Sequence, residues 1–352
     1  MDLIHGGDVV GYRMRYGRPP LDFSASLNPF GMPPAVRKAA RQAVDDSVAY
    51  PDPLCRRLVL ALAERLDVPE TFLFCGNGAA DVIYRYVQAI RPRTALVTAP
   101  TFAEYERALA SGGCRIERHL LREKDAFAIG NDILGRISPD LDVLFVCQPN
   151  NPIGRLTHPD IMAAILERTA ETGTLLFVDE CFLRFVDNPE RHSLVPLLSR
   201  RQNLFVLDSF TKLYGMAGVR LGYGICSEHT LIEKLSAAGQ PWAVSTVAQA
   251  AGVAALGEME YVEKTRRTIR KEKQRLVDGL KKLPLRVIGD EANYVFFHTS
   301  KANLDTLLAE EGIMIRNCAN FPGLRPGYFR VSVRLEEEND LLLGAMARAL
   351  TY

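Results

Sequence analysis

The stretch "SFTKLYGMAGVRLGY", residues 209 to 223, decides how the rest of the chain is read. It follows the apolar run "NLFVLD" (203–208) and sets one lysine, Lys212, among hydroxyls, glycines and an arginine. A lysine on an ordinary helix face snorkels its amine into water. Here the preceding run is long enough and apolar enough to be a buried strand, and the Gly-x-x-Gly spacing lets other groups crowd close. Burial favours the neutral amine, and a neutral amine is a nucleophile toward aldehydes.

Working outward, runs of the same kind recur: "TALVTAP" (94–100), "DVLFVCQP" (142–149), "TLLFVDE" (174–180) and "VRLGYGIC" (219–226). Continuous apolar runs separated by helix-length connections predict an α/β fold with a mostly parallel sheet covered on both faces. After about residue 255 the texture becomes α+β. A charged helix is followed by "LRVIGDEANYVFFHT", a helical segment, the strands "IMIR" and "YFRVSV", and a last helix from Glu336. The expected division is an N-terminal arm over 1–40, a large domain over 41–255 and a small C-terminal domain over 256–352.

Composition narrows the function classes. The chain has 352 residues, enough for about two domains. Its 43 Lys and Arg nearly balance its 42 Asp and Glu. A nucleic-acid surface needs a basic surplus, so none is expected. The basic run "EKTRRTIRKEKQRLVDGLKK" (263–282) carries interspersed acids and reads as a solvated helix face. No apolar stretch approaches the ~18 residues of a membrane span, and "MDLIHGGDVV" has no signal-peptide character. A cytoplasmic location is expected. Seven cysteines without C-x-x-C suit reduced thiols, and six histidines without H-x-x-x-H suggest no metal site.

The chemistry gathers where open α/β sheets bind ligands, at the strand ends. "FLFCGNGAADVIYRYVQAI" (72–90) reads as a strand, a Gly76-Asn77-Gly78 turn and a helix from Ala79, an arrangement that can cradle a phosphate. A dinucleotide fingerprint is the rival reading. It fails because Asp81 stands where the third glycine belongs and no acid ends a strand about 20 residues on. Asp179 closes the run "TLLFVD", and Asn151 sits in "CQPNNPIG" (147–154). Each alone is ambiguous, since aspartates cap helices and asparagines fill turns.

Taken together, "GNGAAD", "PTFAEY", "PNNPIG", "FVDE" and "SFTKLYGMAGVRLGY" resemble, in this order, the fold-type-I pyridoxal-phosphate enzymes of aminotransferase classes I and II. The acid lies 33 residues before the lysine and the arginine eight after it. The resemblance implies pyridoxal 5′-phosphate as cofactor, with Lys212 as its Schiff-base lysine and the mover of protons at the substrate Cα. It implies Asp179 facing the pyridine nitrogen, Asn151 on the ring oxygen and Phe102 on the ring face. Gly78 and Ala79 (by their amides), Ser209, Thr211 and Arg220 would hold the phosphate. Tyr50, in "AYPDP", would reach the neighbouring subunit's phosphate, so a homodimer with shared sites is expected.

For the substrate, Arg330 in "GYFRVSVR" would hold an α-carboxylate. Two branches of the family compete. One decarboxylates L-threonine O-3-phosphate in cobalamin biosynthesis, and the other transaminates histidinol phosphate. The first is more similar, on "HGG" (5–7), "DFSASLNPFGMP" (22–33), "FAEYERALA" (102–110), "QPWAVS" (240–245) and "IRNCANFPGLRPGYFRVSVR" (315–334). Phe182, where the aminotransferases usually place a tyrosine, points the same way. By that pattern His5, Asn28 and Arg316 join Arg330 in holding a phosphorylated amino acid. A cofactor-binding regulator without turnover is the alternative of another class, and the chain carries no helix-turn-helix pattern to support it.

Overall fold

Strands form where β-branched and aromatic residues run short, and in chain order they are β1 (Leu21–Asp22), β2 (Leu73–Gly76), β3 (Thr94–Ala99), β4 (Arg115–Leu120), β5 (Val143–Cys147), β6 (Leu175–Asp179), β7 (Leu204–Ser209), β8 (Gly222–Ile225), β9 (Arg286–Gly289), β10 (Tyr294–His298), β11 (Ile313–Met314), β12 (Arg316–Asn317) and β13 (Tyr328–Ser332). They come from a computed structural model that describes residues 5–351. Seven strands make one sheet in the order β2-β8-β7-β6-β5-β3-β4, and four make a second in the order β12-β13-β10-β9. The large sheet is parallel except for β8, which runs antiparallel to both neighbours.

Two strands differ from the apolar-run reading. β8 is shorter than 219–226, because Arg220 takes a left-handed conformation (φ 63°) and Val219 closes a turn onto the Met216 carbonyl. β4, "RIERHL", was not among the apolar runs. It is an edge strand paired only with β3, so most of its side chains meet water and its composition is polar.

Alternation along β5, β6 and β7 divides the core into two layers. Phe145, Phe177 and Phe205 sit opposite one another in register, all on one face, with ring centroids 4.5 and 5.2 Å apart. Tyr86, from the helix Ala79–Ile90, lies over Phe177 and Phe205 at 4.9 and 4.6 Å. Each such buried aromatic stabilises the fold by about 1.5–3 kcal/mol, so this ladder fixes the helix on that face. The intervening Leu144, Val146, Leu176, Val178, Leu204 and Val206 face the second layer. Cys147, Asp179 and Ser209 end their strands two or more residues beyond the phenylalanines, at even spacing. They therefore emerge on the face of the Phe ladder.

The helix Met259–Leu280 carries the basic run. Val262, Ile269, Leu276 and Leu280 form its buried stripe, and most of its charges face out. The N-terminal segment is laced to the second sheet. β1 pairs in parallel with β11, and Phe23 exchanges backbone bonds with Met314 and Ser332. This brings residues 24–26 beside Arg330 of β13. No described helix is long and apolar enough to cross a membrane.

The start of the cradle helix depends on close backbone contact. A methyl added at Gly222 of β8 would lie 2.5 Å from the Ala79 nitrogen and 2.7 Å from the Gly78 carbonyl carbon. Gly222→Ala should therefore destabilise the protein by about 1–3 kcal/mol in urea unfolding. An unchanged midpoint would show that the turn can yield.

Candidate active site

A cavity of about 440 Å³ opens at the C-terminal ends of β5, β6 and β7. The end of β5 brings Cys147 and the following Asn151, the end of β6 brings Asp179, and the end of β7 brings Ser209, Thr211 and Lys212. Segments far away in the chain complete the wall: His5 and residues 24–26 from the N-terminal segment, Phe102 and Glu104 after β3, and Arg316 and Arg330 from the second sheet.

Lys212 is half-buried as a residue, with its amine enclosed in the wall. Burial, followed by the charges of Arg330 and Arg220, brings the amine down to about 8. The amine lies over the Phe182 ring at 5.5 Å. Phe182 is buried and lines the cavity without a hydroxyl to offer.

Asp179 is buried, and both its oxygens are held. Oδ2 accepts from the Tyr105 hydroxyl at 2.6 Å and Oδ1 from the Cys181 amide at 2.9 Å. Burial pushes the carboxyl up, while these hydrogen bonds pull it back toward the charged form. Tyr105 remains a donor, because burial and the Asp179 charge raise its hydroxyl well above the ordinary value. Its ring rests on Phe145 at 5.4 Å and on the edge of Phe102 at 5.5 Å, so the residue that holds the acid also backs Phe102.

The first turn of the helix Ala79–Ile90 reaches the cavity through Ala79 and Ala80, and its N-cap, Gly78, supplies no side-chain cap. Gly78 itself is behind the wall. It has φ 84°, and a methyl there would come within 2.5 Å of Arg220 Nη2, so only glycine lets the guanidinium lie over the helix start. Asp81 is not a dinucleotide glycine in disguise. It accepts from the Asn77 amide at 2.9 Å and from Arg85 Nε at 3.0 Å, which closes the turn.

Arg330 donates from Nη1 to Asn151 Oδ1 and from Nη2 to the Ser24 carbonyl at 2.9 Å. Its Nε is buried without a partner. Arg316 donates to the Asn317 carbonyl at 2.6 Å and to Asn320 Oδ1 at 2.9 Å. His5 Nε2 is 2.7 Å from Glu104 Oε1, and its ring is 5.6 Å from that of Phe102.

Two further expected residues lie off the wall. Asn28 is buried. Its amide nitrogen donates to the Leu213 carbonyl at 2.7 Å and to Thr265 Oγ1 at 2.8 Å, and its oxygen accepts from the Phe30 amide, so its side chain braces the loop of Lys212. Tyr50 is 80% exposed and stacked on Trp242 at 4.5 Å, away from the cavity of its own chain. Conversely, motif reading passed over Tyr105, Glu104 and Arg107. The quoted "FAEYERALA" contains all three, but nothing in their spacing shows that Tyr105 reaches β6.

With this geometry in view, a family model described as aminotransferase class I and II matches residues 18–346. A threonine-phosphate decarboxylase of Salmonella typhimurium is 37% identical, covering 99% of this chain and 96% of its own. Histidinol-phosphate aminotransferase 1 of Cupriavidus pinatubonensis is 30% identical over 93% and 87%. The crystal structure of the histidinol-phosphate aminotransferase from Clostridium acetobutylicum superposes with a TM-score of 0.88 at 28% identity, over 94% of this chain and 99% of that one. The chain belongs to the class I and II aminotransferase family, and its fold is that of the fold-type-I enzymes. Members of the family depend on pyridoxal 5′-phosphate. The cavity fits that group: an enclosed amine for its aldehyde, a held carboxylate, and an uncapped helix start beneath a guanidinium for its phosphate.

The depressed amine is open to direct measurement. In cofactor-free protein, acylation of Lys212 followed by mass spectrometry should rise with pH through about 8, ahead of the surface lysines. Labelling that tracks the surface lysines would place the amine in water.

Proposed function

We propose that this family member removes CO2 from L-threonine O-3-phosphate, giving (R)-1-aminopropan-2-ol O-phosphate, the step placed in cobalamin biosynthesis. The observation that carries the reading is the full-length similarity to a threonine-phosphate decarboxylase, joined to a wall that pairs Phe182 with an unpartnered edge of Arg330. The unpartnered Nε of Arg330 would complete a fork for a planar carboxylate. Phe182 offers the site no hydroxyl donor to stand beside the Asn151 amide. The cavity also has to house a cofactor, which leaves room for a short substrate.

When bound, pyridoxal phosphate would supply the electron sink for the pair left at Cα as CO2 departs. Asp179, with Tyr105 and Cys181 favouring its charged form against burial, would hold the proton on the ring nitrogen. Arg330, fixed by Asn151 and Ser24, would hold the carboxylate against rotation. With its amine brought down to about 8, Lys212 can exchange protons near neutral pH and, as the ammonium, would deliver the proton that replaces CO2 at Cα. Ser209, Thr211, Arg220 and the first-turn amides would bind the cofactor phosphate.

Incubation with L-threonine O-3-phosphate and no 2-oxo acid should release CO2 over many turnovers. Turnover that stops after one equivalent, or that requires 2-oxoglutarate, would instead identify the aminotransferase, the reading favoured by the Clostridium acetobutylicum neighbour. Lys212→Ala should lose the chemistry and bind cofactor less firmly. Activity retained in that variant would remove the lysine from the mechanism.

The exposed surface around Tyr50 and Trp242, with Val48 96% and Leu54 59% exposed, supports a homodimer in which Tyr50 serves the partner's site. Sedimentation should return a dimer, and Tyr50→Ala should weaken cofactor retention. A monomer with full activity would refute the shared site.

A further inference from the structure

We propose that Arg107, held together with His5 on one oxygen of Glu104, is a specificity-determining residue that receives the substrate's phosphate. The inference rests on the phosphorylated substrate of the preceding reading and adds a residue that its motifs did not supply.

Glu104 is a buried carboxylate on the wall of an anion-binding cavity, an unfavourable place unless it is neutralised. Its Oε1 accepts from His5 Nε2 at 2.7 Å and from Arg107 Nη1 at 3.1 Å. Its Oε2 accepts from the Tyr84 hydroxyl at 3.3 Å, which ties it to the cradle helix. Because both nitrogens contact the same oxygen, they are at most about 6 Å apart, a gap that one tetrahedral anion can bridge. Arg107 lines the cavity while remaining half open to solvent. Among the described residues, Glu104 takes one of its donors, leaving the rest of the fork for a ligand. Arg316, by contrast, already gives both terminal nitrogens to Asn317 and Asn320.

The carboxylate thus works as a hub. It orients two donors, one of them 99 residues away from it in sequence, and the donors in turn screen it from an incoming dianion. Removing Arg107 would lose a charge-assisted contact and also expose the phosphate to the Glu104 charge. A ligand without a phosphate would feel neither effect.

The test is spectral titration of the cofactor-loaded enzyme with three ligands: ethanolamine phosphate, L-threonine O-3-phosphate and L-threonine. Arg107→Met should weaken both phosphorylated ligands about tenfold or more and leave L-threonine unchanged. Arg107→Lys should recover part of the loss, since it restores charge without the fork. Equal weakening of L-threonine, no weakening of either phosphorylated ligand, or a wild-type enzyme blind to ethanolamine phosphate would each overturn the assignment. If the selective loss is found in an enzyme that releases no CO2, Arg107 keeps its place and the decarboxylase reading falls.

Discussion

A carboxylate removed from water takes up a proton unless the protein gives it donors, and the site is organised around that requirement at Asp179. Strand alternation sets the problem. Asp179 follows Phe177 by two residues and so must emerge on the face of the aromatic ladder, under the helices. The same ladder provides the answer, because Tyr105 packs on Phe145 and its hydroxyl ends 2.6 Å from the acid. The apolar contacts that stabilise the sheet therefore also place the donor that opposes the upward push of burial on the acid, and they back the Phe102 ring. Fold stability and site chemistry share these residues.

The opposite face of the sheet shows what alternation does with the next residues along. Glu180 and Asp208 point away from the cavity. Asp208 accepts from Arg184 Nε at 3.0 Å and from the Tyr223 hydroxyl at 2.7 Å. Glu180 accepts from Ser193 and from the Leu194 amide, and burial still pushes it up to about 7. Adjacent acids in "VDE" thus meet opposite environments. One faces the cavity, while the other secures the segment that follows β6.

Positive charge is spread around the cavity and not stacked at one point. Arg220 lies at the helix start, Arg330 beside Asn151, and Arg107 beside Glu104. Each position has an anion or an oriented carbonyl to limit mutual repulsion, which lets several cations share a small volume. The amine of Lys212 is the exception. Burial first, and then the charges of Arg330 and Arg220, bring it down to about 8.

The sequence by itself determined the α/β class, the family and most of the groups at the wall, because each motif is a local strand-end or turn arrangement whose chemistry survives without knowledge of its neighbours. It did not show that the Asn28 side chain bonds to Leu213 and Thr265 and so braces the loop of Lys212. It missed β4, since an edge strand need not be apolar, and it was silent on Tyr105, Glu104 and Arg107. The tertiary structure alone decided those contacts. Tyr105 meets an acid 74 residues away and His5 meets Glu104 99 residues away. Which side chains converge across such distances depends on how sheet, helices and N-terminal segment pack, and no spacing along the chain encodes it.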